Sequence, residues 1–195
     1  NKNFKEINKQ ILKFKPMYFC IFDDIIFNKI KKKFKNKKTK IINNLNDIKF
    51  KKKINISISA IPGISGLNPT LLFLKKSNKL LIANKESIIC GWSLIENLAK
   101  KNKTQIIPID SEHFSILKLI QSHKIDEIKK IYLTASGGPF LKFKKKKIKN
   151  IGPKEALKHP KWNMGKKISI DSATLMNKIL ELVEAHKLFK IPYNK

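Results

Sequence analysis

The sequence predicts an α/β fold built on a parallel, doubly wound sheet. Three observations predict it. Short strand-type runs alternate with segments of helical spacing up to Asp110, and the turns between them are rich in Pro, Gly and Asn. Beyond Asp110 that rhythm gives way to a Gly-rich turn, a Lys run and one long helical segment. The change of texture sets a soft boundary near residue 105. It divides a sheet domain over 1–105 from a site-bearing domain of α+β character over 106–195.

The chain opens NKNFKEINKQILKF, with Phe4, Ile7, Ile11 and Leu12 already in helical period. MYFCIF (17–22) is a compact apolar run of strand type, and FNKIKKKF (27–34) has helical spacing. INISISAI (54–61) alternates apolar and polar residues, then meets PGISGLNPT, a Gly/Pro turn opening the apolar helix LLFLKK. KLLIANKES (79–87) repeats the scheme of strand, polar turn and helix, the helix running from Ser87 to Lys100. QIIPI (105–109) is the next strand. IYLTASGGPF (131–140) reads as a strand entering a tight turn, KFKKKKIKN as a solvated loop, and IGPKEALKHPKWNMGKK as turns. KISIDSATLMNKILELVEAHKLF (167–189) passes from a short strand into the best helix of the chain, whose core side is assigned to Leu175, Ile179, Leu182, Val183 and Leu188.

With 195 residues the chain can bury a sizeable core, and its 42% hydrophobic content fits a folded protein. The net charge of +29 suggests nucleic acid or an anionic surface, but its make-up argues otherwise. All 43 basic residues are Lys, whereas phosphate and base recognition recruits the bidentate fork of Arg. The excess of Lys, Asn and Ile matches the codon usage of an AT-rich genome, and a solvated Lys surface is the expectation. No nucleic-acid partner is expected. Cys20 and Cys90 lie far apart in apolar segments, so buried reduced thiols are expected rather than a disulfide or zinc site. No stretch approaches the roughly 18 apolar residues of a membrane span. The absence of an initiator Met and the helical period at residue 4 suggest that both ends are cuts through a longer protein.

Ligands of an open α/β sheet gather at the carboxyl ends of its strands, and five polar clusters fall at such ends: ANKES, DSEH, TASGGP, HPKWNMG and DSATLMNK. In DSEH, an extended segment would turn Asp110 and Glu112 to one side, offering the hard oxygens that Mg2+ or Mn2+ prefer. The other reading has Asp110 capping the next helix with Glu112 in its first turn, and DSEH by itself favours that cap. The helix over 171–189 shifts the balance, because Asn177, Lys178 and Glu181 share a face by i+4 and i+3 spacing. Glu181 then offers a third metal oxygen, with Lys178 and Asn177 placed to take an anion; a plain surface ion pair is the alternative. In TASGGP, Ser136 and the amides of Gly137 and Gly138 can converge on an anion, although an SGG sequence more often marks a tight turn. Ser172, beside the start of the long helix, adds a hydroxyl and a dipole end. His159, Trp162 and Met164 lie on a Pro/Gly-bounded loop that either closes over a ligand or anchors to the core through the indole.

Read in order, LIANKES, IIPIDSEH, LTASGGPF, HPKWNMGKKISIDSATLMNK and LELVEAH resemble the motifs of the 1-deoxy-D-xylulose 5-phosphate reductoisomerase family. The likeness is dense from Ile61 to Phe189 and diffuse before it. It implies a Rossmann-like NADPH domain followed by a catalytic domain. It also implies NADPH-dependent rearrangement and reduction of 1-deoxy-D-xylulose 5-phosphate to 2-C-methyl-D-erythritol 4-phosphate, in non-mevalonate isoprenoid biosynthesis. By resemblance, Asp110, Glu112 and Glu181 hold a divalent metal, Mn2+ or Mg2+ with Co2+ as a further option. Lys85, Glu112 and His159 are the implied catalytic residues. Lys85, Ser111, Glu112, Ser136, His159, Trp162, Met164, Ser172, Asn177, Lys178 and Glu181 contact substrate. Lys2, Asn3, Asn84, Glu86 and Gly165 match positions that touch NADPH. The family's members are typically homodimers of the bacterial cytoplasm or plastid stroma, so a homodimer is expected at full length.

Two departures matter. PGISG (62–66) lacks the GxGxxG spacing of a cofactor fingerprint, and the family's C-terminal helical domain has no counterpart here. The chain alone is therefore expected to bind NADPH poorly and to turn over little or not at all. The rival readings are another Mg2+ enzyme acting on a phosphorylated substrate, such as a phosphatase, and a basic nucleic-acid module carried by KIKKKFKNKK (29–38) and KFKKKK (142–147).

Overall fold

The computed structural model describes residues 2–144, 148, 151–158 and 165–195. The chain forms two compact units, Asn1–Lys53 and Ile54–Lys195.

In the first unit, Asn3 caps helix α1 (Phe4–Phe14) by accepting the Glu6 N–H at 3.0 Å. Strand β1 (Tyr18–Cys20), helix α2 (Asp24–Lys33) and strand β2 (Lys40–Ile42) follow. The two strands pair in parallel, with Phe19 opposite Ile41. Ile7 and Ile11, one helical turn apart, meet Ile21, Phe27, Ile30 and Phe34 in a core that covers them.

The second unit is built on three parallel strands in the order β3 (Ile54–Ser59), β4 (Ser77–Ile82) and β5 (Gln105–Pro108). Helix α3 (Leu67–Leu74) links the first pair and α4 (Lys85–Asn102) the second. Parallel strands put the segments that follow all three at one edge, which brings Asn84–Lys85 and Asp110–Glu112 to the same side of the sheet. Leu74, Leu80, Ile95 and Ala99 form the core between these helices and β4. Helix α4 bends at Gly91 (φ −122°, ψ 16°), where an added Cβ would meet Leu67 Cδ1 at 2.5 Å. Among the described residues, no helix is long and apolar enough to cross a membrane.

The alternation of INISIS is present, with its faces inverted. Ser57 and Ser59 are buried, whereas Ile56 and Ile58 are 55% and 65% exposed. The serines have partners inside: Ser59 and Thr70 hydroxyls lie 2.5 Å apart, and Ser77 Oγ donates to Ser57 Oγ at 2.8 Å. A hydroxyl with such partners loses little on burial, so this strand can turn its polar side inward.

Asn84 fastens the start of α4, two residues earlier than the predicted Ser87. Its Oδ1 accepts the Ser87 N–H at 2.6 Å, while Nδ2 donates to the carbonyls of Ile61 and Gly63, the latter at 2.9 Å. Asn84→Ala is therefore expected to cost about 2 kcal/mol, since it strands one helix-end N–H and two carbonyls. Urea unfolding of the chain measures this, and an unchanged midpoint would contradict it.

After β5 come α5 (Ser111–Ile120), the short α6 (Pro153–Ala156), α7 (Lys166–Ala173) and α8 (Met176–Phe189). Four expectations are corrected here. Residues 131–139 form no strand; the Ile131 N–H donates to the Lys195 carbonyl at 2.8 Å instead of joining a ladder. The segment KISI is helical, within α7, because the chain turns back onto α8 rather than onto a sheet edge. Leu175, with φ of 59°, breaks the helix between α7 and α8. Cys90 is exposed on α4 and Cys20 half-buried, both as free thiols.

Candidate active site

Three helices supply the polar network of the second unit: the first turn of α4, the first turn of α5, and α8, which packs against both. The DSEH segment is not extended. Asp110 is the N-cap of α5 and accepts the His113 N–H at 3.1 Å, so the i, i+2 argument fails and the helix-cap reading holds. Glu112, in the first turn, leans away toward α8.

Helix α8 is the larger surprise. Three of the five residues of its predicted core side face outward, Leu175 and Leu182 exposed and Ile179 57% exposed, and Val183 and Leu188 are half-buried, while Glu181 and Glu184 are 4% and 3% exposed. The cause is ionic: the interior already holds partners for the polar face. Lys178 Nζ lies 2.5 Å from Glu181 Oε2 and 3.0 Å from Glu112 Oε1, bridging α8 to α5. Lys85 Nζ donates to Asn177 Oδ1 at 2.5 Å and stands 3.5 Å from Glu181 Oε1, bridging α8 to α4. Asn177 Nδ2 donates to Glu181 Oε1 at 2.5 Å. Buried charges persist when each is paired and hydrogen-bonded in this way.

Burial pushes the Glu112 carboxyl up, but the bonds from Ser111 and Lys178 outweigh it and hold the group below the usual carboxylate range. Burial likewise works against the Lys178 ammonium, and its bonds to Glu181 and Glu112 raise its pKa regardless.

His113 has no exposed surface. Its Nδ1 lies 2.5 Å from Asp110 Oδ2 and 3.6 Å from Glu184 Oε2; its Nε2 lies 2.9 Å from the Glu181 carbonyl. Both ring nitrogens face acceptors, an arrangement met by the imidazolium, which donates from both. The direction of its pKa agrees: burial lowers it, but Asp110 and Glu184 raise it further. Burial raises Asp110 and the His113 bond more than cancels this, leaving that carboxyl low. Glu184 goes the other way, pushed up to about 7 chiefly by burial. Below about pH 7, where Glu184 holds its proton, an imidazolium at His113 balances the Asp110 carboxylate.

Lys85, Glu112, Asn177, Lys178 and Glu181 thus converge, with Ser111 attached through its 2.7 Å bond to Glu112. The turn after Ser136 approaches the end of α7 at Ser172. Gly138, with φ of +67°, sits so close to α7 that a Cβ there would meet the Ser172 carbonyl at 2.6 Å. Ser172 lies in the last turn of α7 rather than at the start of the long helix. Glu86 pairs with Lys167 at 3.7 Å, and open space surrounds the position a Gly165 Cβ would take. The Asn84 side chain is spent within the fold, which leaves only its main chain for a cofactor. Lys2 and Asn3 belong to the first unit, where Lys2 is exposed and Asn3 caps α1. His159, Trp162 and Met164 lie outside the described residues.

The carboxylates of Asp110, Glu112 and Glu181 suit a hard divalent cation. Lys178 already places positive charge between two of them. Among the described residues, the metal-capable group whose ligand atoms all lie within 4.8 Å of one another is Asp110, His113 and Glu184. To ligate through Nδ1, His113 would have to give up its bond to Asp110.

Residues 1–91 match a family model described as 1-deoxy-D-xylulose 5-phosphate reductoisomerase, and residues 106–189 match that of its C-terminal domain. The chain belongs to the 1-deoxy-D-xylulose 5-phosphate reductoisomerase family. A reductoisomerase from Pelagibacter ubique (strain HTCC1062) is 48% identical over 199 residues, spanning 100% of this chain and 51% of the relative. One from Clostridium novyi (strain NT) is 42% identical, covering 100% and 52%. A solved DOX-P reductoisomerase in complex with NADPH, fosmidomycin and magnesium superposes with a TM-score of 0.84 at 35% identity, covering 98% of this chain and 50% of that one. The Zymomonas mobilis reductoisomerase in complex with NADPH gives 0.86 at 31% identity, covering 100% and 50%. The chain spans about half the length of the curated relatives it matches.

Sequence reading did not single out Glu184 or the buried role of His113. The signal for Glu184 was present, since Asn177, Glu181 and Glu184 recur at i+4 and i+3 on one face of α8.

Proposed function

We propose that this chain carries the metal and substrate-phosphate site, and part of the NADPH site, of a reductoisomerase. The reaction is conversion of 1-deoxy-D-xylulose 5-phosphate to 2-C-methyl-D-erythritol 4-phosphate in non-mevalonate isoprenoid biosynthesis. The observation that carries the proposal is the convergence of Lys85, Glu112, Asn177, Lys178 and Glu181 from three helices at the carboxyl edge of a parallel sheet. The names borne by the relatives support the same reading.

In this reading Asp110, Glu112 and Glu181 hold Mg2+ or Mn2+, with Co2+ as a further option. When bound, the metal supplies Lewis acidity toward a ketone and its neighbouring hydroxyl. NADPH supplies the hydride that reduces the rearranged aldehyde. The chain's own residues position and neutralise. Lys85 and Lys178 bring two ammonium groups to the substrate's oxygens, and Asn177, already oriented by Lys85 and Glu181, fixes a hydroxyl. Ser136, Ser172 and the amides of the Gly137–Gly138 turn hold the phosphate, supported by the left-handed φ of both glycines and the approach of Gly138 to α7. Ser111 contacts substrate beside Glu112. His159, Trp162 and Met164 enter by resemblance alone, as a loop that closes over the substrate.

In this reading Glu86, Gly165 and the main chain at Asn84 take the nicotinamide side of NADPH; Lys2 and Asn3, in the first unit, enter by resemblance alone, as matches to positions that touch its adenosine end. The space beside Gly165 and the cationic Lys167 next to Glu86 fit an anionic dinucleotide. We place the domain division near residue 105, as the separate matches of 1–91 and 106–189 support. We also propose a homodimer at full length, in a bacterial cytoplasm or a plastid stroma.

The test follows NADPH oxidation and phosphate release together, using the gene product that contains this chain, 1-deoxy-D-xylulose 5-phosphate and Mg2+. Oxidation that needs both substrate and cation, with the phosphate retained, is expected. Phosphate release without oxidation would overturn the reading in favour of a phosphatase.

A further inference from the structure

Three segments meet on the ring of His113. The loop after β5 reaches it through Asp110, whose Oδ2 takes both the main-chain N–H at 3.1 Å and Nδ1 at 2.5 Å. The middle of α8 reaches it through the Glu181 carbonyl, 2.9 Å from Nε2. The end of α8 covers it with Phe189, whose ring stacks on the imidazole at a centroid distance of 6.4 Å. An apolar side chain here would leave the Asp110 carboxylate and the Glu181 carbonyl without these partners. What the imidazole adds is two fixed directions, one toward a carboxylate and one toward the main chain of the residue that bears another.

We propose that His113 is a positioning residue for the divalent-cation site, fixing Asp110 and Glu181 relative to one another without itself being a ligand. This rests on the cation reading given above. Asp110 and Glu181 come from separate helical segments, 71 positions apart in sequence, and His113 is bonded to both. A cation held by oxygens from such separate segments binds well only if their spacing is set beforehand, and partners behind the ligands are what set it.

The test is Mn2+ binding followed by electron paramagnetic resonance, with thermal unfolding on the same samples. His113→Gln can keep a donor toward the Glu181 carbonyl and lose the one toward Asp110; His113→Asn can do the reverse. Each is expected to weaken Mn2+ binding about tenfold or more. Ile116→Val, a buried change in the same helix, is expected to lower the melting temperature and leave Mn2+ affinity unchanged. The comparison therefore separates positioning from simple support of the fold.

Absence of Mn2+ binding by the unsubstituted chain would overturn the cation reading and this inference together. Binding that Asp110→Asn abolishes but both His113 variants retain would overturn the inference alone. Complete loss in the His113 variants, with Glu112→Gln still binding, would make His113 a ligand and also overturn it. Should the variants fail to fold, NMR of the histidine ring nitrogens decides on the unsubstituted chain. The His113 signals, identified by their contact with Phe189, are expected to shift as Mg2+ is added, and constant signals would overturn the proposal.

Discussion

Replacing Lys178 with Met is expected to destabilise the chain by about 3 kcal/mol in buffer free of divalent cations, and added Mg2+ is expected to restore most of that loss. The ammonium lies 2.5 Å from Glu181 and 3.0 Å from Glu112, with side-chain exposures of 21%, 5% and 25% in that order. Methionine keeps the length of the side chain and removes the charge. Glu181 would then face Glu112 with Lys85 3.5 Å away. Breaking one member out of a buried ionic group costs more than the pair contributes, because an uncompensated charge stays behind. A divalent cation between the carboxylates would supply the missing charge. Urea unfolding with chelator and with Mg2+ measures both effects. A loss that Mg2+ does not reduce would separate the ionic network from cation binding.

Glu184→Gln is expected to stabilise the chain above neutral pH and to have little effect in acid. The Glu184 carboxyl rises from 4.5 to about 7 in the fold, mainly through burial. His113 and Lys85 oppose that rise, while Asp110 and Glu181 add to it. For an acid shifted upward, the unfolded chain releases its proton at a lower pH than the folded one. Stability therefore falls as pH climbs from 4.5 to about 7, then levels off. Gln keeps the shape of the neutral acid and cannot ionise, so its advantage should grow across that window to roughly 2–3 kcal/mol. His113, whose pKa is raised, loses its own stabilising contribution as pH climbs above its ordinary value of 6.5, so the difference between the two chains is the quantity to plot. A constant difference across the window would show that Glu184 is not the group responsible.

Much of the fold was legible because periodicity and turn chemistry are local. The strands at MYFCIF, INISIS, KLLI and QIIPI, the helices between them and the Asn84 turn all follow from neighbouring residues. What failed depended on partners far away in sequence. INISIS and α8 each have a clear period, yet a period does not say which side faces inward. Hydroxyl partners at Thr70 and Ser77 decide that for β3, and ammonium groups at Lys85 and Lys178 decide it for α8. IYLTASGGPF has strand composition without a ladder partner among the described residues. His113 stands three residues after the cap in sequence, and its importance arises only when the Glu181 carbonyl, 68 positions later, arrives beside it. For the candidate site, the residue types and their spacing were visible, whereas the Lys178 bridge between Glu112 and Glu181 was not.

The most direct measurement is an anomalous difference map from crystals of the chain soaked in Mn2+. The expected result is one peak bounded by Asp110, Glu112 and Glu181, with the Lys178 ammonium moved out from between the two glutamates. No peak there, or a peak on Asp110, His113 and Glu184 with Lys178 still bonded to both glutamates, would contradict it.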